Sequence, residues 1–487
     1  MILHTINHSY KYECEKVCRI FFPAERILFA CDSDEIPEDT RNIYTEIAEK
    51  EDSFFFYCKA VIDGVSEEYS FEAPKKGNES DSQLERLLAK AISYVLRKIT
   101  GIVPPWGILT GIRPAKLVRS YLNTLGKEKT RELFNTFFEV SEEKTELALT
   151  VAEYENICID RSGKNSFSLY VSIPFCPTRC SYCSFVSHSI DKAQKLIPDY
   201  VKMLTEEIKY TAEIVNELSL ELETVYIGGG TPTSFSAENL KIITDALNTY
   251  FPMDKVKEFT VEAGRPDTIT EEKLAVLKNA GVSRISINPQ TFSDDVLEII
   301  GRKHTAEDTV KKFLLARRLG FDNINTDLIA GLPGDTYEGF CKSLDKAIEL
   351  EPENITVHTL SLKRSASIVT DEDTDSVCKE TEKMLEYASE RLYKSGYFPY
   401  YMYRQSKSLG NLENVGWCKK DKPCLYNIYM MEEIHTVLAV GGAAVTRLKS
   451  EASIERIYNF KYPYEYISRF DELCERKDGI RRFYNGV

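Results

Sequence analysis

The stretch SLYVSIPFCPTRCSYC, residues 168–183, decides how the chain is read. Its first six residues, Ser168–Ile173, form a short β-rich run, and three cysteines follow at once, Cys176, Cys180 and Cys183. Working outward, five more runs of the same kind appear downstream: Thr224–Ile227, Phe259–Glu262, Arg284–Ile287, Asn323–Ile329 and Ile355–Leu360. Helical patterns separate them, such as Tyr200, Leu204, Ile208 and Val215, or Leu274, Leu277 and Ala280. Strand–helix alternation implies parallel strands joined by right-handed crossovers. Six such units predict an α/β fold built on a partial (β/α)6 barrel, with an open sheet as the alternative. In both, ligands collect at the carboxyl ends of the strands.

Upstream the texture differs. Tyr10–Phe22, Ser53–Asp63 and Glu67–Glu72 read as strands, and Asp63-Gly64 as the tight turn of a hairpin. A helix is expected over Gln83–Ile99, where Leu84, Leu87, Leu88, Ala91, Ile92 and Val95 recur at helical spacing. These features predict an N-terminal α+β domain over residues 1–163, ahead of the barrel at 164–395. Past Gly396 the pattern turns irregular and tyrosine-rich, and residues 396–487 are assigned to a small C-terminal subdomain. The acidic run Asp371–Asp375 reads as a solvated loop leading into a helix.

The 487 residues carry 62 Lys and Arg against 76 Asp and Glu, a net charge of −14. That balance argues against nucleic acid, whose phosphates need a concentrated basic face. No run approaches the ~18–20 apolar residues of a membrane span, and the first residues lack a basic segment followed by an apolar one. Thirteen cysteines, an odd number, fit reduced thiols in a cytoplasmic protein better than a disulfide framework. The close-set three are the exception. Structural zinc usually takes four ligands, and only the isolated His188 lies nearby. The residues alone leave open zinc, unreactive thiols or an iron–sulfur cluster with one iron free. The run Gly228-Gly229-Gly230-Thr231 ends the next strand, where glycines without a Cβ let backbone approach a ligand.

Cys176-x3-Cys180-x-Tyr182-Cys183 resembles the signature of radical S-adenosylmethionine (SAM) enzymes. The resemblance implies that the three cysteines hold a [4Fe–4S] cluster with SAM on the fourth iron. It also implies that Tyr182 and Gly228, Gly229, Gly230 and Thr231 contribute to the cofactor site. Along residues 165–450 the chain is similar to the oxygen-independent coproporphyrinogen III oxidases, or dehydrogenases. Tyr170 fits the family tyrosine near the cluster, and Ser172 stands where those enzymes usually have His. Glu262, Gln290, Arg302 and Asp327 match the SAM-contacting residues, with Tyr170 and Glu262 nearest the chemistry. The segments Pro105–Leu117 and Asn411–Gly416 are similar to the variant with an extended N-terminus.

The resemblance implies oxidative decarboxylation of two propionates of coproporphyrinogen III to vinyl groups, giving protoporphyrinogen IX. One or two SAM molecules and an electron donor such as flavodoxin or ferredoxin would take part. A tetra-anionic tetrapyrrole needs local cations, because bidentate Arg–carboxylate pairing is the strong option. Lys363 and Arg364, just after the sixth run, are the leading candidates, ahead of Arg113, Lys116 and Arg119. Related haem chaperones share the barrel, but their His-Asn pair is Tyr426-Asn427 here. Haem delivery and another radical reaction on a tetrapyrrole are the competing readings. Cys418 and Cys424 read as unreactive thiols, and His358 as a core or mouth residue.

Overall fold

The computed structural model describes residues 1–23, 25–30, 41–77, 79–185, 187–361, 374–405, 408–450 and 453–486. The chain divides into two compact units, residues 1–149 with 404–412, and residues 150–403 with 413–487.

The first unit is built on β1 (Ile2–Ile6), β2 (Leu28–Ala30), β3 (Arg41–Glu49), β4 (Ser53–Ile62) and β5 (Val65–Pro74), in the order β2-β1-β3-β4-β5. The Asp63-Gly64 turn closes the β4–β5 hairpin with both residues at positive φ (50° and 85°), the conformation that favours Gly and Asp there. Every second residue of β4 (Phe56, Cys58, Ala60, Ile62) is buried. The helix Asp81–Thr100 packs on this sheet, opened by a Ser80–Gln83 capping box and closed by Gly101 at φ 69°. One expectation fails here. Residues Lys11–Phe21 form a helix instead of a strand, burying Cys14, Val17, Cys18 and Phe21. Those positions follow the helical i, i+3, i+4, i+7 pattern, which outweighs the local β-propensity.

The second unit opens with β6 (Ser166–Ile173) and the two-residue strands β7 (Phe175–Cys176) and β8 (His188–Ser189), which pair in parallel. It continues with β9 (Glu221–Gly229), β10 (Glu258–Glu262), β11 (Arg284–Ser286), β12 (Ile324–Ala330) and β13 (Asn354–Thr359). Strands β6, β9, β10, β11, β12 and β13 lie side by side and parallel. The remaining segments extend both edges. Strands β14 (Phe398–Arg404) and β15 (Glu413–Cys418) add beyond β13, and β16 (Thr436–Val440) pairs in parallel with β6. Strands β17 (Val445–Lys449) and β18 (Ile454–Tyr458) follow in antiparallel order. The eleven-stranded sheet runs from β14 to β18 and stays open, as a partial barrel does.

The period-two alternation of the strands sorts the residues into two faces. Phe167, Leu169, Val171, Ile173, Val225, Ile227, Phe259, Val261 and Ile285 join one core with the flanking helices. The alternate positions are polar and bond to one another across strands. Thr224 donates to Ser168 Oγ (2.7 Å), Asn325 to Ser286 Oγ (2.8 Å) and Thr356 to Asn325 Oδ1 (3.1 Å). Arg284 donates to Asn354 and Asn323. Such cross-linked polar layers satisfy what burial would otherwise leave costly. The C-terminal helix Phe470–Asn485 is anchored by a fully buried Lys477–Glu207 ion pair at 3.0 Å. Glu207 also accepts from Gly441 N (2.7 Å), Asn459 Nδ2 (2.8 Å) and the Tyr466 hydroxyl (2.5 Å).

Candidate active site at the carboxyl ends of the strands

The loop after β6 carries the three cysteines, all free thiols: Cys180 is buried, Cys176 and Cys183 partly exposed. Its path is set by the glycine run ending β9. Gly230 N donates to Ile173 O (2.8 Å) and Thr231 N to Phe175 O (2.7 Å), zipping the two segments together. A Cβ on Gly230 would stand 2.5 Å from Phe175 O, and one on Gly228 3.1 Å from the Glu262 carboxyl carbon. Gly229 takes φ 113°, which side chains disfavour. Thr231 Oγ1 then reaches Cys176 Sγ at 3.5 Å.

Burial pushes the Cys176 and Cys183 thiols upward, and the Thr231 and Ser187 hydroxyls partly offset this at Cys176. Cluster formation would therefore release protons from this loop. Two buried arginines face it. Arg302 donates to the Tyr182 hydroxyl (2.9 Å), Asn288 O (2.6 Å) and Gly264 O (3.4 Å), and has no carboxylate within ion-pair distance among the described residues. Arg265 lies 3.6 Å from Cys180 Sγ. A buried guanidinium without a counter-ion is costly, so an anion belongs here. Three thiolates on a cluster fit that demand. Among the described residues no three His, Cys, Asp or Glu side chains, the three cysteines included, are gathered into a ready metal site.

Deeper in the mouth stand Glu262 at the end of β10 and Asp327 in β12. Burial, reinforced by the nearby Asp327 charge, lifts the Glu262 carboxyl to about 7 against hydrogen bonds from Tyr226 and Gly229. Asp327 also feels burial, yet His358, Asn325 and Thr356 hold its carboxyl below the usual range. The Asn325 amide is 2.7 Å and His358 Nε2 3.8 Å from its oxygens. The two carboxyls are thus driven apart in acidity, one able to hold a proton near neutrality and one ionised. Gln290 lies beside them with its backbone at φ 71°, bridged to β12 through Asp327 O and Ile329 N. Its carboxamide oxygen is buried without a hydrogen-bond partner in the structure. Strain and an unmet acceptor at one residue point to a ligand.

Tyr170 of β6 stacks 6.2 Å from Tyr226 and 6.2 Å from Tyr426, which are themselves 4.5 Å apart. The Tyr226 hydroxyl donates to Glu262 (2.6 Å). Tyr426 is set by Glu258, which accepts from the backbone of Leu425 and Tyr426 at the start of helix Leu425–Met431. His358 proves to be a mouth residue, with Nδ1 3.3 Å from the Tyr403 hydroxyl. Tyr226, Tyr403 and Arg265 touch the candidate site residues Glu262, His358 and Cys180, and sequence reasoning passed over them. Alternation along β9 carried a signal for Tyr226, which stands two residues before Gly228.

Other expectations resolve differently. Ser172 is consumed structurally: it donates to Gly442 O (2.8 Å), and its carbonyl accepts from Tyr200 (2.8 Å). Cys418 and Cys424 are buried thiols beside Tyr154 and Glu258, and burial raises both. Lys363 and Arg364 lie outside the described residues, as does most of Asp371–Asp375. Arg113, Lys116 and Arg119 belong to the first unit, Arg113 just ahead of the helix Pro114–Leu125.

Residues 170–347 match the family model of the radical SAM superfamily. The "Oxygen-independent coproporphyrinogen-III oxidase-like protein HemZ" of Bacillus subtilis is 37% identical over 424 residues, covering 85% of each chain. The "Heme chaperone HemW" of the same organism is 42% identical, over 40% of this chain and 50% of its own. A solved structure, "Coproporphyrinogen III oxidase (HemN) from Escherichia coli is a Radical SAM enzyme", superimposes with TM-score 0.49 and 22% identity, over 66% of this chain and 73% of that one. The chain belongs to the radical SAM superfamily and, within it, to the family of oxygen-independent coproporphyrinogen-III oxidase-like proteins. The family implies a [4Fe–4S] cluster and SAM. No described helix is long and apolar enough to cross a membrane.

Proposed function

We propose that this protein oxidatively decarboxylates coproporphyrinogen III to protoporphyrinogen IX. The observation that carries the reading is the extent of the HemZ match, 85% of both chains, so that it takes in much of the first unit as well as the barrel. The HemW match, by contrast, covers 40% of this chain. Cys176, Cys180 and Cys183 would hold the cluster, and Gly228–Thr231, Glu262, Gln290, Arg302 and Asp327 would hold SAM. When bound, these groups supply one electron and a 5′-deoxyadenosyl radical that abstracts hydrogen. Asp327, ionised, would accept hydrogen bonds from the cofactor, and Gln290 would use its unmet carboxamide oxygen in the same way. Glu262 would hold or release a proton at its carboxyl under the control of the Tyr226 hydroxyl. The stacked Tyr170, Tyr226 and Tyr426 would wall the mouth with flat apolar faces that exclude water and suit a macrocycle. Lys363 and Arg364 would meet the propionates, and a flavodoxin or ferredoxin would deliver the electron. A second SAM molecule would serve the second propionate.

Haem delivery is the second reading, favoured by the 42% identity to HemW in the shared segment. Tyr426, a residue type that ligates haem iron in some proteins, stands where the chaperones have His. The two separate in one experiment. Anaerobically reconstituted protein with coproporphyrinogen III, SAM, a reductant and a one-electron acceptor for the electron released with each CO2 is followed by mass spectrometry, with C180A as the control. Loss of two CO2 per macrocycle supports the decarboxylase. SAM cleavage without CO2 loss overturns it, and tight stoichiometric haem binding in its place establishes the chaperone.

A further inference from the structure

We infer that Arg265 is a positioning residue that carries positive charge to the cysteine loop and raises the reduction potential of the cluster bound there. The inference rests on the cluster that the family implies and is independent of the substrate reading. Arg265 follows β10 by three residues and is buried, 3% exposed. Its Nη1 reaches Thr178 Oγ1 (3.1 Å), Thr178 O (3.4 Å) and Cys180 Sγ (3.6 Å), so one guanidinium edge spans the turn between the first two cysteines. Its opposite edge is clamped by Asp267, with Nε and Nη2 each 3.0 Å from a carboxylate oxygen. This bidentate fork fixes the plane of the guanidinium as a lysine could not. His304 closes the pocket 3.8 Å from Asp267, its ring nitrogens buried without hydrogen bonds in the structure.

The local charge count is uneven. Arg265 and Arg302 bring two cations to the neighbourhood of Cys180, and Asp267 alone brings an anion among their described ion pairs. Burial keeps His304 neutral, its pKa held near 4. One positive charge is left for the cluster. Reduction adds one electron from an external one-electron donor and forms or breaks no bond, so the reduced cluster gains most from a cation beside its thiolate. Charge and hydrogen bonds at the sulfurs are the known levers on such potentials. Arg265 supplies both at Cys180, while Thr231 supplies a hydroxyl at Cys176.

The test is a dye-mediated redox titration of the reconstituted protein without SAM or substrate, read by the paramagnetic signal of the reduced cluster. Wild type, R265M and R265K are compared at matched iron and sulfide, about four of each per chain. R265M should shift the midpoint negative by at least 59 mV, a tenfold change in the one-electron equilibrium. R265K, which keeps the charge, should shift by less than half as much. A loaded R265M with an unchanged midpoint overturns the inference. Should R265M take up no iron, R265K decides. Full loading with a near-native midpoint supports the charge, whereas a folded R265K without cluster shows that only the fork geometry matters and overturns it.

Discussion

Two groups of three cysteines sit in this protein, and they have opposite surroundings. Cys14, Cys18 and Cys58 are buried in the core of the first unit, from one helix and strand β4. Burial raises all three thiols, Cys14 to about 12, and the neighbouring thiols raise Cys18 and Cys58 further. Cys176, Cys180 and Cys183 stand on a loop at the sheet's carboxyl edge, with Arg265, Arg302, Thr231 and Ser187 turned toward them. Both groups hold three free thiols. What differs is a supply of cations and hydroxyl donors to support thiolates, and access for iron. The first group is core packing, the second a place for anionic ligands.

The largest effect expected is on iron. C180A should fall from about four iron per chain to below one after reconstitution and lose SAM cleavage, whereas C18A keeps its full iron complement. Iron analysis and the visible spectrum of the two proteins check this; iron loss in C18A would break the contrast. Next comes G230A, whose Cβ meets Phe175 backbone at 2.5 Å, so the cysteine loop must shift. It should cost about 1–3 kcal/mol in denaturant unfolding and lower cluster loading. G64A meets open space and should lose only its turn preference, about 1 kcal/mol, without touching iron.

A subtler effect is the pH response of the mouth. Glu262 titrates near 4.5 when unfolded and near 7 when folded, so the folded state binds the extra proton between these values. Its contribution to stability is therefore present below about 4.5 and is lost as pH rises toward 7. E262Q should stabilise the metal-free protein by up to about 3 kcal/mol at pH 8, with the gain shrinking toward pH 5. Thermal melts across that range check it. SAM carries a fixed positive charge, so its affinity should rise with pH through 7 in wild type and lie flat in E262Q. The smallest effect belongs to C58A, about 0.5–1.5 kcal/mol of lost packing with iron content and redox behaviour unchanged.

Much of the barrel was legible because buried parallel strands write themselves as short β-rich runs between helical patterns. The expected Phe259–Glu262 and Arg284–Ile287 differ from β10 and β11 by one residue. Glu262, Gln290 and Asp327 could be found as polar residues at or just beyond strand ends, and the structure gathers the two carboxyls, Gln290 and His358 together. Tyr226 and Tyr403 were hidden because a tyrosine in a strand looks like any core aromatic. Arg265 was hidden because its target, Cys180, lies 85 residues earlier. The N-terminal helix Lys11–Phe21 was misread because Tyr, Val and Ile along it favour strands locally, while its buried side follows a helical period.

By itself the sequence determined the alternation of the barrel's parallel strands and helices, the cysteine loop and the glycine run behind it, because each rests on local spacing and backbone freedom. Tertiary structure alone decided the rest. It set β16 beside β6, some 270 residues apart, and brought Tyr426 against Tyr226. It lifted Glu262 toward neutrality while keeping Asp327 ionised, and placed two guanidiniums at Cys180. Acidity and charge pairing depend on burial and on which distant groups come within a few ångströms, and no local pattern encodes those distances.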